Sequence, residues 1–177
     1  MKKILFISWS PKKWNTDRMI SHLFRNLEGE KDILLLKEKN IKHCLWCGFC
    51  EKGNGCAIKD DMQDIIKKLV RADIIFLWSP NHFANVSWIT KMFIDRLLPC
   101  YHARSLKGKK VILLMPGSSA DSTNKKYMLQ GAYGFVDYQY MKLLWAYGFC
   151  TEDEAVLEKK MERITQQVIR LMKKSDT

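Results

Sequence analysis

With 177 residues and 47% hydrophobic side chains, the chain has the size and composition of one globular domain and not of a disordered segment. No apolar run approaches the roughly 18 residues that a membrane span needs, and 30 Lys and Arg against 19 Asp and Glu give a net charge of +11. That charge suits phosphate-bearing ligands or an acidic redox partner, whereas the basic residues are scattered and form no tract or motif of a nucleic-acid binder.

Met1-Lys2-Lys3 precedes the run Ile4-Leu5-Phe6-Ile7, which is too short for the apolar core of a secretory signal and gives way to Ser8-Trp9-Ser10-Pro11. The run reads as a strand over Lys3–Ile7, buried on both faces, in a cytoplasmic protein whose thiols stay reduced. Met19, Ile20, Leu23, Phe24 and Leu27 then recur at helical spacing over 16–27. A second strand over 32–36 leads into a Gly- and Cys-rich insertion at about 42–58. Asp60-Asp61-Met62 opens a helix, its carboxylates suited to the N-terminal dipole, with Met62, Ile65, Ile66 and Leu69 as the buried stripe. A third strand over 72–78 ends at Ser79-Pro80-Asn81, and a helix over 87–98 follows with Ile89, Met92, Phe93 and Leu97 facing inward. A fourth strand over 110–115 ends at Pro116-Gly117-Ser118. The aromatic-rich stretch 125–145 is helical in part, 147–150 forms a fifth strand, and 152–174 is the last helix. Strands alternating with helices, without repeat or linker, predict a single α/β domain over 1–177. Its architecture is a doubly wound, five-stranded parallel sheet with helices on both faces.

Ligands of such sheets bind beyond the carboxyl ends of the strands. The loop after the first strand offers Ser8, Ser10, Pro11, Lys12, Asn15 and Thr16 at a helix N-terminus, a setting for a phosphate, although neither phosphate-loop signature is present. The loop after the third strand offers Ser79, Pro80, Asn81, His82, Phe83 and Asn85, flat groups suited to an aromatic ring. Gly117 and Ser118 follow the fourth strand. A phosphate end and a flat end together fit a mononucleotide such as FMN. No residue reads as a general base; His82 is a ring contact.

Cys44, Cys47, Cys50 and Cys56 form C-x2-C-x2-C-x5-C. Three closely spaced thiols and one more suit an iron–sulfur cluster, with Gly48, Gly53 and Gly55 letting amides approach the sulfurs. Zinc also accepts four thiolates, and a disulfide needs a more oxidising compartment. Cys100 and Cys150 stand alone and read as core residues.

Several blocks in order resemble the flavodoxin-like NADPH-dependent FMN reductases, and within them the iron–sulfur flavoproteins. They are Ser10-Pro11-Lys12-Lys13 with Asn15-Thr16, the four-cysteine segment, Asp60-Asp61-Met62, Ser79-Pro80-Asn81-His82-Phe83-Ala84-Asn85-Val86-Ser87, and Lys91-Met92-Phe93-Ile94-Asp95-Arg96. The likeness spans about 3–115. Trp9 stands where the family has Gly, the first loop is about one residue short, and Gly117 and Ser118 rest on position alone. The resemblance implies an FMN oxidoreductase holding FMN through the first loop, with Cys44, Cys47, Cys50 and Cys56 ligating a [4Fe-4S] cluster. NAD(P)H or ferredoxin is the implied electron donor, and no nicotinamide-binding residue carries over. Two alternatives stand beside it: a cluster-free NAD(P)H-dependent FMN or quinone reductase, and a flavin-less zinc-binding module. Tyr101, Tyr133, Phe135, Tyr138, Tyr140 and Trp145 exceed what one small core needs, which predicts a homodimer or tetramer.

Overall fold

A computed structural model of the chain describes residues 1–8, 15–82, 85–117, 122–150 and 154–175. Strands β1 (Lys3–Ser8), β2 (Glu30–Leu35), β3 (Ile74–Trp78), β6 (Lys110–Gly117) and β7 (Lys142–Cys150) form one parallel sheet in the order β2-β1-β3-β6-β7. A two-stranded antiparallel hairpin, β4 (Asn81–His82) with β5 (Asn85–Val86), projects beyond the end of β3. The helices are α1 (Asn15–Asn26), α2 (Met62–Arg71), α3 (Trp88–Asp95), α4 (Leu98–Ala103), α5 (Ser122–Tyr138) and α6 (Glu154–Lys174).

Alternation along the central strands divides the core in two. Ile4 and Phe6, with Ile74, Phe76 and Trp78, pack under α1 and α6. Leu5 and Ile7, with Ile75 and Leu77, pack under α2, α3 and α5. The sheet is therefore covered on both faces, and its central strands have to be continuously apolar. The strand order reverses between β1 and β3, so the crevice at their carboxyl ends is the expected ligand position. Ser8 is paired there with Trp78.

Two boundaries differ from the sequence reading. The fifth strand starts at Lys142, five residues before the expected 147, with a register irregularity where Val111 faces Leu143 and Ile112 faces Trp145. This edge strand is only partly buried, and Leu143 is exposed, so it lacks the apolar run of a central strand. The helix expected over 87–98 is two helices, because α3 ends at Asp95 and α4 starts at Leu98 with Pro99 in its first turn, where proline is tolerated.

Candidate functional site

Ser8 ends β1 fully buried, and its hydroxyl has no hydrogen-bond partner among the described residues. An unsatisfied buried hydroxyl costs free energy, and it sits where the expected phosphate loop leaves the sheet. A polar ligand atom at the crevice would satisfy it. Ser10, Pro11, Lys12, Phe83 and Ser118 lie outside the described residues, as does Trp9. Asn15 and Thr16 open α1, Asn81 opens β4 and Gly117 closes β6.

The second loop is fixed from below by buried hydroxyls. Ser79 Oγ accepts from the Ser87 amide at 3.0 Å and donates to the Pro80 carbonyl at 3.1 Å. Ser87 caps α3, its Oγ accepting from the Thr90 amide at 3.4 Å and sharing a proton with Thr90 Oγ1 at 2.8 Å. The Ser79 side chain thus positions the hairpin, while His82 and Asn85 are exposed on it. Ser87→Ala removes the cap and strands a buried donor, an expected cost of about 1–2 kcal/mol. Thermal denaturation should read this as a Tm fall of roughly 2–8 °C.

Asn85 Oδ1 accepts from the Val86 amide at 2.8 Å and lies so near Gly131 of α5 that a Cβ there would overlap it. Gly131→Ala should displace Asn85 and tilt the hairpin. The expected result is weaker flavin retention on gel filtration with a smaller loss of thermal stability.

The four thiols occupy a segment without regular strands or α-helices. Gly48 (φ 68°) and Gly53 (φ 77°) bracket a 3-10 turn over Phe49–Lys52 that carries Cys50, both in the left-handed region that glycine adopts without strain. The Trp46 amide points at Cys44 Sγ, 3.4 Å away. All four cysteines line one open cavity of about 960 Å³, bordered on its other sides by α3, α4 and α5 through residues such as Trp88, Tyr101 and Phe135. Burial pushes the Cys50 thiol above its ordinary pKa, and charge on Cys56, Cys44 and Cys47 pushes it further the same way. Among the described residues, no group of three or more His, Cys, Asp or Glu is arranged to hold a metal ion. Cys100 is a buried core thiol, as expected.

Beneath this segment lies an ion pair that sequence reasoning missed. Arg96 and Asp60 have fully buried side chains and meet in a fork, Nη1 to Oδ2 at 2.6 Å and Nη2 to Oδ1 at 3.0 Å. Asp60 also accepts from the Lys42 amide at 2.9 Å and the Met62 amide at 3.1 Å. Arg96 Nη1 donates to the Lys42 carbonyl at 2.6 Å and Nη2 reaches Cys56 Sγ at 3.5 Å. Burial works to raise the Asp60 pKa, but the Arg96 contacts and the two amides hold the carboxyl below its usual range. Burial likewise works to lower Arg96, and Asp60 more than offsets it. One signal was available in the sequence. Arg96 lies three and four residues from Phe93 and Met92, a cation on a helix face otherwise read as inward.

The aromatic residues divide. Phe135 is core, Tyr138 is 70% exposed, and Tyr133 and Tyr140 are also exposed. Tyr101 stacks on Tyr140 at 6.0 Å. No helix among the described residues is long and apolar enough to cross a membrane.

The family model for NADPH-dependent FMN reductase matches residues 2–170. An iron-sulfur flavoprotein of Archaeoglobus fulgidus is 34% identical over 111 residues, covering 60% of this chain and 50% of that protein. An iron-sulfur flavoprotein of Methanocaldococcus jannaschii is also 34% identical over 111 residues, covering 60% of this chain and 58% of that protein. The chain spans about half the length of the curated relatives it matches. Among solved structures, an FMN-dependent NADH-azoreductase from Bacillus anthracis in complex with FMN is similar with a TM-score of 0.72 at 14% identity, covering 97% of this chain and 99% of that one. A flavodoxin, WrbA-like protein from Agrobacterium tumefaciens gives a TM-score of 0.64 at 16% identity, covering 98% of this chain and 99% of that one. With the family match running from residue 2 to residue 170 and the strand order to support it, the chain belongs to the NADPH-dependent FMN reductase family and has a flavodoxin-like fold.

Proposed function

We propose that this protein is an FMN-dependent oxidoreductase that moves electrons between the flavin and a [4Fe-4S] cluster on Cys44, Cys47, Cys50 and Cys56. The observation that carries the reading is that all four thiols line a single cavity. Their segment also leaves the sheet beyond the carboxyl end of β2, the same edge as the flavin loops. The names of the relatives in Archaeoglobus and Methanocaldococcus add support.

FMN, when bound, supplies hydride and single-electron chemistry, and an iron–sulfur cluster supplies single-electron chemistry. The chain's residues bind and orient. Ser8 offers a buried hydroxyl at the crevice, and the loop with Ser10, Lys12, Asn15 and Thr16 is assigned to the phosphate. The hairpin carrying Asn81, His82, Phe83 and Asn85 is assigned to the ring, with Ser79, Ser87 and Thr90 holding its base. No residue is assigned the role of general acid or base. Ferredoxin or NAD(P)H is the proposed donor, the former suited to the +11 charge. A homodimer or tetramer is proposed from the exposed Trp46, Trp88 and Tyr138, and sedimentation velocity showing only monomer would remove it.

A second reading is a cluster-free NAD(P)H-dependent FMN or quinone reductase, in which Cys44, Cys47, Cys50 and Cys56 stay free thiols. A zinc-binding module is the third reading, in which one ion would need its four sulfurs at about 2.3 Å from a common point. Anaerobic purification followed by a visible spectrum, iron assay and flavin assay separates the readings. Flavin bands with a shoulder near ~400 nm and about four iron per chain support the electron carrier. Flavin without iron supports the reductase, and a colourless, zinc-loaded protein overturns both.

A further inference from the structure

Both ends of the cysteine segment meet one side chain. Lys42, two residues before Cys44, gives its carbonyl to Arg96 Nη1, and Cys56, the last thiol, lies against Arg96 Nη2. Arg96 comes from the far end of α3 and is itself locked by Asp60, which starts the chain's return into α2. The guanidinium is planar and its donors are fixed in a fork, so its two nitrogens cannot move independently. Asp60 grips the Lys42 amide with one oxygen and the Met62 amide with the other. The pair is thus a buckle: it joins residues 42, 56 and 60 at one buried point, which leaves the intervening thiols as a closed loop.

We propose that Arg96, braced by Asp60, is the positioning residue of the four-thiol segment, closing it between Lys42 and Cys56 and presenting an N–H to the Cys56 sulfur. The closure has an entropic consequence. A free segment of this length must be ordered each time its sulfurs converge, whereas a buckled one has its ends already joined. The N–H···S contact has an electrostatic consequence, which rests on the cluster reading. A donor with positive charge favours the more negative, reduced state of a cluster on that sulfur and so raises its potential. The negative charge of Asp60 is shared with the Lys42 and Met62 amides that donate to it. Of the pair, the group in contact with Cys56 is the cation.

The test uses the full chain with three changes: Arg96→Lys, Arg96→Gln, and Arg96→Gln combined with Asp60→Asn. The double variant replaces both charges, so neither is left buried alone, and it keeps the experiment informative if the single variants fail to fold. Hydrogen exchange is measured first on iron-free protein. In the double variant the amides of residues 43–59 should exchange at least about tenfold faster while those of β1 keep their rates, the free energy of local opening falling by about 1.4 kcal/mol or more. Unchanged protection over 43–59 in a folded double variant overturns the buckle. On protein reconstituted anaerobically with iron and sulfide, the midpoint potential should shift downward in the double variant at equal iron content. Arg96→Lys should restore part of the shift, a rescue that loop order alone would not produce. An unchanged potential overturns the electrostatic role. If the wild-type chain takes up no iron, the cluster reading fails and hydrogen exchange still decides the buckle.

Discussion

Asp60→Ala should be the most destabilising single substitution of a charged residue near the cysteine segment, costing about 3–5 kcal/mol. The reason lies in what it leaves behind. Arg96 stays fully buried with its carboxylate gone, and its Nε already has no partner among the described residues. The Lys42 and Met62 amides lose an acceptor at the same time. Differential scanning calorimetry should show the Tm falling by roughly 6–20 °C for a chain of this length. Asp64→Ala is the control: its carboxylate pairs with Lys67 in solvent, and the melting curve should stay where it is. Because the Asp60 pKa is depressed in the folded state, its contribution is fully present above the unfolded value of about 3.9. It is lost as pH falls through the folded value, so wild type and Asp60→Ala should converge in stability at strongly acidic pH. A Tm loss of only a degree or two at neutral pH would mean the pair is dispensable.

The central sheet was legible in the sequence because its strands have one reading. Ile4-Leu5-Phe6-Ile7 and Ile74-Ile75-Phe76-Leu77-Trp78 are buried on both faces, so no polar position interrupts them. Helices α1, α2 and α6 announced themselves by single apolar stripes. What was not legible depends on pairing in space. Strands β4 and β5 have two residues each, too short for any periodicity, and exist because Ser79, Ser87 and α5 hold their ends. Strand β7 was shortened in the reading because Leu143 to Tyr147 lie at a half-covered edge, where aromatics resemble a helix face as readily as a strand. In the candidate site, Cys44, Cys47, Cys50 and Cys56 were found by spacing, and the structure brings all four to one cavity. Asp60 and Arg96 each lie in a recognisable block of the sequence, yet the bond between them spans 36 residues and leaves no local trace. Its mark was a misfit, a cation on an apolar helix face. Ser79 shows the reverse: a polar residue in the right loop whose hydroxyl is spent on holding the hairpin.

Replacing any one of Cys44, Cys47, Cys50 or Cys56 with Ala should strip most of the iron from the anaerobically purified protein while leaving about one FMN per chain. The two proposed cofactor sites draw on different loops. Flavin contacts are assigned to the loops after β1 and β3, whereas the cysteine segment follows β2 and is anchored through α3. On the proposed reading, three thiolates would leave one iron of a cluster without a protein ligand. Absorbance at ~400 nm should therefore fall toward the flavin baseline, and transfer from reduced ferredoxin, the proposed donor, should drop by about tenfold or more, equivalent to ~1.4 kcal/mol on the barrier. Direct reduction of the flavin by NAD(P)H, where it occurs, should be little changed. Cys100→Ala serves as the internal control, because that thiol is on α4, packed into the core, and should affect melting temperature but not iron. The set also discriminates among the four. Cys47 is exposed, whereas Cys56 is tied to the buried guanidinium, so Cys56→Ala should disturb protection of the segment more than Cys47→Ala even before iron is added. If instead all four variants keep wild-type colour and turnover, the thiols carry no electrons and the cluster-free reductase is the correct reading.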